Sequence, residues 1–129
     1  MRNHRDLQVW NKAYALTLEI YKVSRSFPKE ELYGLTSQMR RAAIFVGANL
    51  AEGCGRSSNA EMGRFVRIAM GSAAELDHHL LPCKDLGFLS EVDHRQFLAN
   101  LTEVRKMLSA LLDSITNELE TKARAATKG

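Results

Sequence analysis

Prolines are scarce: only Pro28 and Pro82 interrupt 129 residues, and glycines number eight. Both residue types weaken or break helix interiors, so their scarcity favours long helices. No run of about 18 apolar residues occurs, which argues against a membrane-spanning helix. Lys12 and Glu19 interrupt the region after Met1–Asp6, so no secretory signal is expected. The two cysteines, Cys54 and Cys83, form no metal or redox spacing. They read as reduced thiols of a cytoplasmic protein. There is no strand-like alternation, internal repeat or low-complexity tract.

What is present is an ordinary globular composition, 45 % hydrophobic and 26 % charged. The length fits one domain, residues 1–129, able to bury a core without staples. The net charge of +3 permits nucleic-acid contact without demanding it. Its distribution is more informative. Residues 36–72 hold five arginines and two glutamates, for +3, whereas residues 73–93 hold five acids and Lys84, for −4.

Four amphipathic segments are expected, at about 6–26, 35–52, 59–86 and 91–119. In the first, Leu7, Trp10, Tyr14, Leu18 and Tyr21 form one helical stripe. Val9, Ala13, Leu16, Ile20 and Val23 form a second beside it, which predicts burial on more than one side. Asp6 is the expected cap, and Phe27-Pro28 the expected stop. In the second segment the core face is Leu35, Met39, Ala42, Ala43, Val46 and Leu50. Phe45 falls off that face and marks a second apolar surface. Gly53 and Gly55 are expected to supply positive φ at its end. The third opens on a capping box, Ser58 to Glu61, and continues through Phe65, Ile68, Ala69, Ser72, Leu76, Leu80 and Cys83. Pro82 predicts a kink or a loosened last turn, and Gly87-Phe88 a Schellman ending. In the fourth, Phe97, Leu101, Val104, Leu108, Leu111, Ile115 and Leu119 step by four and three after the cap Ser90. Residues 120–129 lose the pattern and are expected to be disordered. Short connections between long helices give an all-α, antiparallel up-down-up-down four-helix bundle.

The run Leu35-Thr36-Ser37-Gln38-Met39-Arg40-Arg41-Ala42-Ala43 carries a specific likeness. So do Asn49-Leu50-Ala51-Glu52-Gly53-Cys54-Gly55-Arg56 and Lys84-Asp85-Leu86-Gly87-Phe88-Leu89-Ser90. With Trp10-Asn11-Lys12-Ala13 and Phe27-Pro28-Lys29-Glu30-Glu31, their order and spacing resemble the four-helix-bundle proteins encoded by intervening sequences of bacterial 23S ribosomal RNA genes. The resemblance spans roughly residues 6–118. It departs at Gly47, where the family commonly has proline, and at Pro82, which the family usually lacks. The resemblance implies a soluble bundle that assembles as a closed homo-oligomeric ring, typically a pentamer. It also implies similarity to the accessory proteins of diversity-generating retroelements, basic rings thought to bind nucleic acid.

Glu75-Leu76-Asp77-His78 and Glu91-Val92-Asp93-His94 have the Glu-x-x-His spacing of di-iron bundles. The antiparallel turn near residues 87–90 sets the two pairs out of register by roughly 7 Å, so surface charge is the expected role. Glu75, His79 and Cys83 share a face, yet one straight helix does not easily close a tetrahedral zinc site. Cys54 lies near a helix N-terminus, which lowers a thiol pKa, but no histidine is close in sequence. No metal, no cofactor and no catalytic residue is therefore expected. Asn49 and Glu52 either satisfy the adjacent glycine turn or fix a subunit contact, and Glu52 calls for a cation such as Arg56.

Arginine pairs with phosphate through its planar fork. The expected nucleic-acid contacts are Arg40, Arg41, Arg56, Arg64 and Arg67, acting on RNA or DNA backbone by counterion release. Solvated or intersubunit charge would use the same residues. The alternative is a protein-interaction scaffold with no nucleic-acid role. The expected oligomer contacts are Trp10, Phe45, Asn49 and Glu52. A metal-dependent bundle enzyme is the remote alternative.

Overall fold

The computed structural model describes residues 2–128. Its elements are α1 (Gln8–Ser24), α2 (Leu35–Cys54), α3 (Asn59–Asp85) and α4 (Glu91–Lys128), with 3₁₀ turns at His4–Asp6 and Lys29–Glu31. Contacts run α1–α2, α2–α3, α3–α4 and α1–α4, and among the described residues no diagonal pair of helices brings Cα atoms within 8 Å. Cross-helix contacts show every neighbouring pair to be antiparallel. Thr17 Oγ1 donates to the Ala43 carbonyl, and Arg40 Nε donates to Ser24 Oγ, at 3.1 and 2.8 Å. Lys12 pairs with Glu103 and Arg2 with Glu118 between α1's end and α4. Asp77–Arg105 and Asn59–Glu118 tie α3 to α4. This is an up-down-up-down bundle. One end carries the α1–α2 and α3–α4 connections; the other carries the α2–α3 turn.

Each helix buries one stripe. In α1 it is Val9, Ala13, Leu16 and Ile20. The companion stripe is not a second buried side, as the pattern had predicted: Tyr14 and Leu18 are exposed. Only α2 and α4 flank α1, so one face is all they cover. In α2 the core stripe is Met39, Ala42, Ala43, Val46 and Leu50. In α3 it is Met62, Val66, Ala69, Ala73, Leu76, Leu80 and Cys83. Phe65 and Ile68 stand outside it, a correction to the expected face. In α4, Phe97, Leu101, Val104, Leu108 and Ile115 are buried, but Leu119 is exposed.

The ends follow local chemistry. Ser58 Oγ accepts from Glu61 N, and Ser90 Oγ accepts from Asp93 N, which satisfies helix-terminal donors. Asp6 does not cap α1. It lies in a 3₁₀ turn begun by Asn3, and Leu7 takes the cap position without a side-chain bond. The α3 helix continues through Pro82 to Asp85. Gly87, at φ 82°, then donates to the Lys84 carbonyl while Phe88 donates to the Cys83 carbonyl. That is the Schellman pair. Gly53 and Gly55 have no positive φ; Gly87 alone does among the described residues. Gly53 lies inside α2 and is buried, where an added Cβ would stand 3.0 Å from Phe65 Cβ and 3.3 Å from the Met62 carbonyl.

The segment expected to be disordered is also different. Residues 120–128 continue α4, although residues 117–127 are exposed. Glu, Lys, Ala and Arg there are strong helix formers, so propensity sustains a helix that packing does not. Gly129 lies outside the described residues.

Two glycines of α2 separate packing from propensity. Gly53→Ala should cost about 1–3 kcal/mol, because backbone and a Cβ oppose the new methyl. Gly47→Ala meets only the Trp10 indole, with Nε1 at 3.4 Å and Cδ1 at 3.7 Å. It should be neutral or stabilising by up to about 1 kcal/mol. Urea midpoints of the two variants check this; equal shifts would contradict the close α2–α3 approach.

Candidate functional site

Outside the core, α1, α2 and α3 all keep large apolar side chains. Tyr14, Leu18, Ile44, Phe45 and Ile68 are large and apolar, yet each is between 40 and 52 % exposed. Trp10 stacks on Tyr14, with centroids 5.1 Å apart and planes 12° apart, and His4 meets Trp10 edge-on. Beside them a groove of about 280 Å³ is lined by Trp10, Tyr14, Ile44, Gly47 and Ala48. The small residues at 47 and 48 make that groove. Trp10, Tyr14 and Ile44 thus share the α1–α2 groove, whereas Phe45 is exposed on α2 outside its lining.

The arginines interleave with this surface. Arg41 lies over Phe45 at 5.2 Å. Arg56 and Arg64 both lie against the Phe65 ring, at 4.9 and 4.8 Å. Arg56 also pairs with Glu52 at 2.5 Å, the partner that Glu52 required at a helix C-terminus. Arg40 is half-buried, over Tyr21 at 4.7 Å, with Nε bonded to Ser24. It clamps α1 to α2. Arg67 is exposed on α3, on the side where Gly63 faces Leu112 and Ile115 of α4. Among the described residues, Arg40, Arg41, Arg64 and Arg67 have no carboxylate partner. Asn49 donates to the Phe45 carbonyl at 2.8 Å, within its own helix, so it does not serve the glycine turn.

The Glu-x-x-His pairs do not converge. His78 is exposed, whereas His94 is buried with Nε2 unpartnered in the protein. His79 contacts Glu75 at 3.3 Å, but Cys83 points to Met39, with sulfurs 3.7 Å apart. No group of three or more His, Cys, Asp or Glu side chains gathers among the described residues. Burial pushes the Cys83 thiol up to about 11, with Glu31 adding to it. Burial also pushes the Cys54 thiol up, against the opposing charge of Arg2. A buried, protonated thiol is a poor nucleophile. Burial outweighs whatever lowering the nearby helix N-terminus gives Cys54.

Fold and surface together define a helical bundle whose distinctive chemistry lies on outer faces, in apolar and guanidinium groups. No helix among the described residues is long and apolar enough to cross a membrane. The family model of the 23S rRNA-intervening sequence protein matches residues 5–110, and the chain belongs to that family. A crystal structure of a protein of unknown function from the S23 ribosomal protein family of Bacteroides thetaiotaomicron is similar. Its TM-score is 0.75 at 19 % identity, covering 81 % of this chain and 97 % of that one. At that identity the likeness establishes the fold. No curated protein matches the chain. Neither match bears on the retroelement accessory proteins.

Thiol chemistry gives a direct check. At pH 8 the native protein should react with a thiol–disulfide reagent at neither cysteine until it unfolds; prompt reaction of one thiol per chain would contradict the burial. The pH sign follows from Cys83. Its thiol ionises near 9.0 when unfolded and about 11 when folded. The stability gained by keeping it neutral is complete below pH 9 and drains as pH rises towards about 11. Cys83→Ala should lessen that alkaline slope in urea titrations.

Proposed function

We propose that the chain is a non-catalytic association protein that packs against further copies of itself through the α1–α2–α3 surface. The carrying observation is the five large apolar side chains left open on these helices, two of which, Tyr14 and Ile44, line a groove floored by Gly47 and Ala48. Monomers rarely leave such residues together without a partner. Aromatic and arginine side chains are the types that dominate protein interfaces, and here they alternate. The family resemblance implies five copies in a closed ring. Phe45→Glu should reduce the native mass to the 14.5 kDa of one chain while leaving the helical circular dichroism intact. Trp10→Ala should weaken assembly less abruptly. Analytical ultracentrifugation reads both, and an unchanged mass in Phe45→Glu would remove this surface from the assembly.

A second reading rests on a separate observation, the arginines without carboxylates. Four guanidiniums on α2 and α3 lack an acidic partner within the described residues. Repeated around an oligomer, they form a field suited to phosphate backbone of RNA or DNA. Counterion release by the three exposed ones, Arg41, Arg64 and Arg67, implies a slope of log affinity against log salt of about −3 per chain. Fluorescence anisotropy with structured RNA and duplex DNA of matched length measures it. Absence of binding to both at low salt would leave the scaffold reading alone. Arg64→Glu with Arg67→Glu should abolish binding without altering mass.

A further inference from the structure

The α1–α2 groove has an apolar floor and flat rings along one wall. Tyr14, Leu18, Tyr21 and Arg25 step by four, three and four, which sets them in one column along α1. Trp10 heads the column, stacked on Tyr14 and lining the groove with Ile44, Gly47 and Ala48. At the column's other end Arg40 of α2 lies over the Tyr21 ring, with its Nε bonded to Ser24. Tyr14 has one face on Trp10 and is 50 % exposed, so a further flat ring would extend the stack.

The charge that these two helices leave over is positive. The one acid of α1, Glu19, lines the cavity shared with α4, and the one acid of α2, Glu52, is taken by Arg56. Lys12 is taken by Glu103. Lys22, Arg25, Arg40 and Arg41 have no carboxylate partner among the described residues. Acids return only beyond the helix ends, at Asp6 before α1 and at Glu30 and Glu31 in the connection, where Glu31 Oε2 accepts from Leu35 N. A second copy laid groove to groove would set these cations against their own kind. A chain of bases and phosphates satisfies the rings and the cations together.

We propose that the α1–α2 groove holds unpaired bases of a single-stranded nucleic acid, stacked on from Tyr14, while Arg25 and the Nη groups of Arg40 take the adjoining phosphates. Stacking on aromatic rings beside a cationic track is how single strands are held without sequence reading. A duplex keeps its bases inside the stack and offers only phosphate. The proposal rests on the nucleic-acid reading above and adds bases to its phosphate contacts. Phe45 and Ile68 stand outside the groove's lining, so self-association through them leaves the groove open.

The test follows the anisotropy of a labelled oligoadenylate, an abasic strand of equal length and a duplex of equal length on the full chain at physiological salt. Trp10 is the one tryptophan, so its emission reports the groove directly. The oligoadenylate should bind about tenfold or more tighter than the abasic strand, and it alone should alter Trp10 emission. Tyr14→Ala should weaken oligoadenylate binding by about tenfold and leave the abasic strand and the duplex unaffected. Ala48→Phe, at an exposed position of the lining, should do the same by filling the groove, with the helical circular dichroism retained. Equal affinity for base-bearing and abasic strands would overturn this proposal and leave the phosphate reading standing. No binding to any of the three would overturn both. Unmoved Trp10 emission on binding, or unaltered oligoadenylate affinity in both variants, would overturn the proposal as well. A fall in the nucleic-acid-free mass on Ala48→Phe would assign the groove to a second copy and overturn it too.

Discussion

At Gly53 the α2 backbone approaches α3 so closely that a β-carbon would stand 3.0 Å from Phe65 Cβ. Much of the surface depends on that approach. Small residues on these two helices keep the approach close: Ala42, Ala69 and Ala73 are all buried. Where two backbones come this near, large side chains have no room between them, because interiors are packed at crystal density. Phe65 and Ile68 have helical spacing that would suit a core, but the seam leaves them outside. Phe65 then meets Arg56 and Arg64, and each exposed cation–π contact contributes about 0.5–1 kcal/mol. A packing constraint thus sets the guanidiniums where they are.

The same logic governs α1. A four-helix bundle without diagonal contacts gives each helix two neighbours and therefore one covered face. The α1 helix carries apolar residues beyond that need, so Tyr14 and Leu18 are surplus to the core of one chain. Surplus apolar side chains stand on α1, α2 and α3, whereas α4 turns mostly charged and polar residues outward between its buried positions. What the sequence spends outside the core is therefore contact chemistry on three helices, beside thiols that burial keeps protonated.

Most of the fold was legible because its signals are local. Ser58, Ser90 and Gly87 act within one helical turn, and the α4 stripe has a single unambiguous period. The errors share a cause, since each needed tertiary knowledge. Two α1 stripes have equally good spacing, and only the count of neighbours decides between them. Gly53 reads as a turn glycine until α3 is seen lying against it. Asp6 resembles a cap until the chain is found to enter through a 3₁₀ turn. Residues 120–128 lack an apolar stripe, which removed the packing signal but not the helix propensity. At the candidate site, Phe45 and the Glu52–Arg56 pair were readable from position along α2. The double contact on Phe65 was not, because the residues that make it come from both sides of a turn.

Charge shows why whole-chain numbers mislead. A net +3 suggests a mildly basic particle, but opposing signs occupy different places on the bundle. At about 10 Å of screening length in moderate salt, surface charges further apart than this act almost independently. An α-helix of 20 residues, such as α2, is about 30 Å long. The arginines around Phe65, near the α2–α3 turn, and the acids around Leu86 therefore present separate fields to solution. A polyanion approaching the first would feel little of the second. Antiparallel folding separates Arg56 and Arg64 from Asp85 along the bundle axis, while Arg40 and Arg41, next to the Met39 that touches Cys83, come down beside the acids instead.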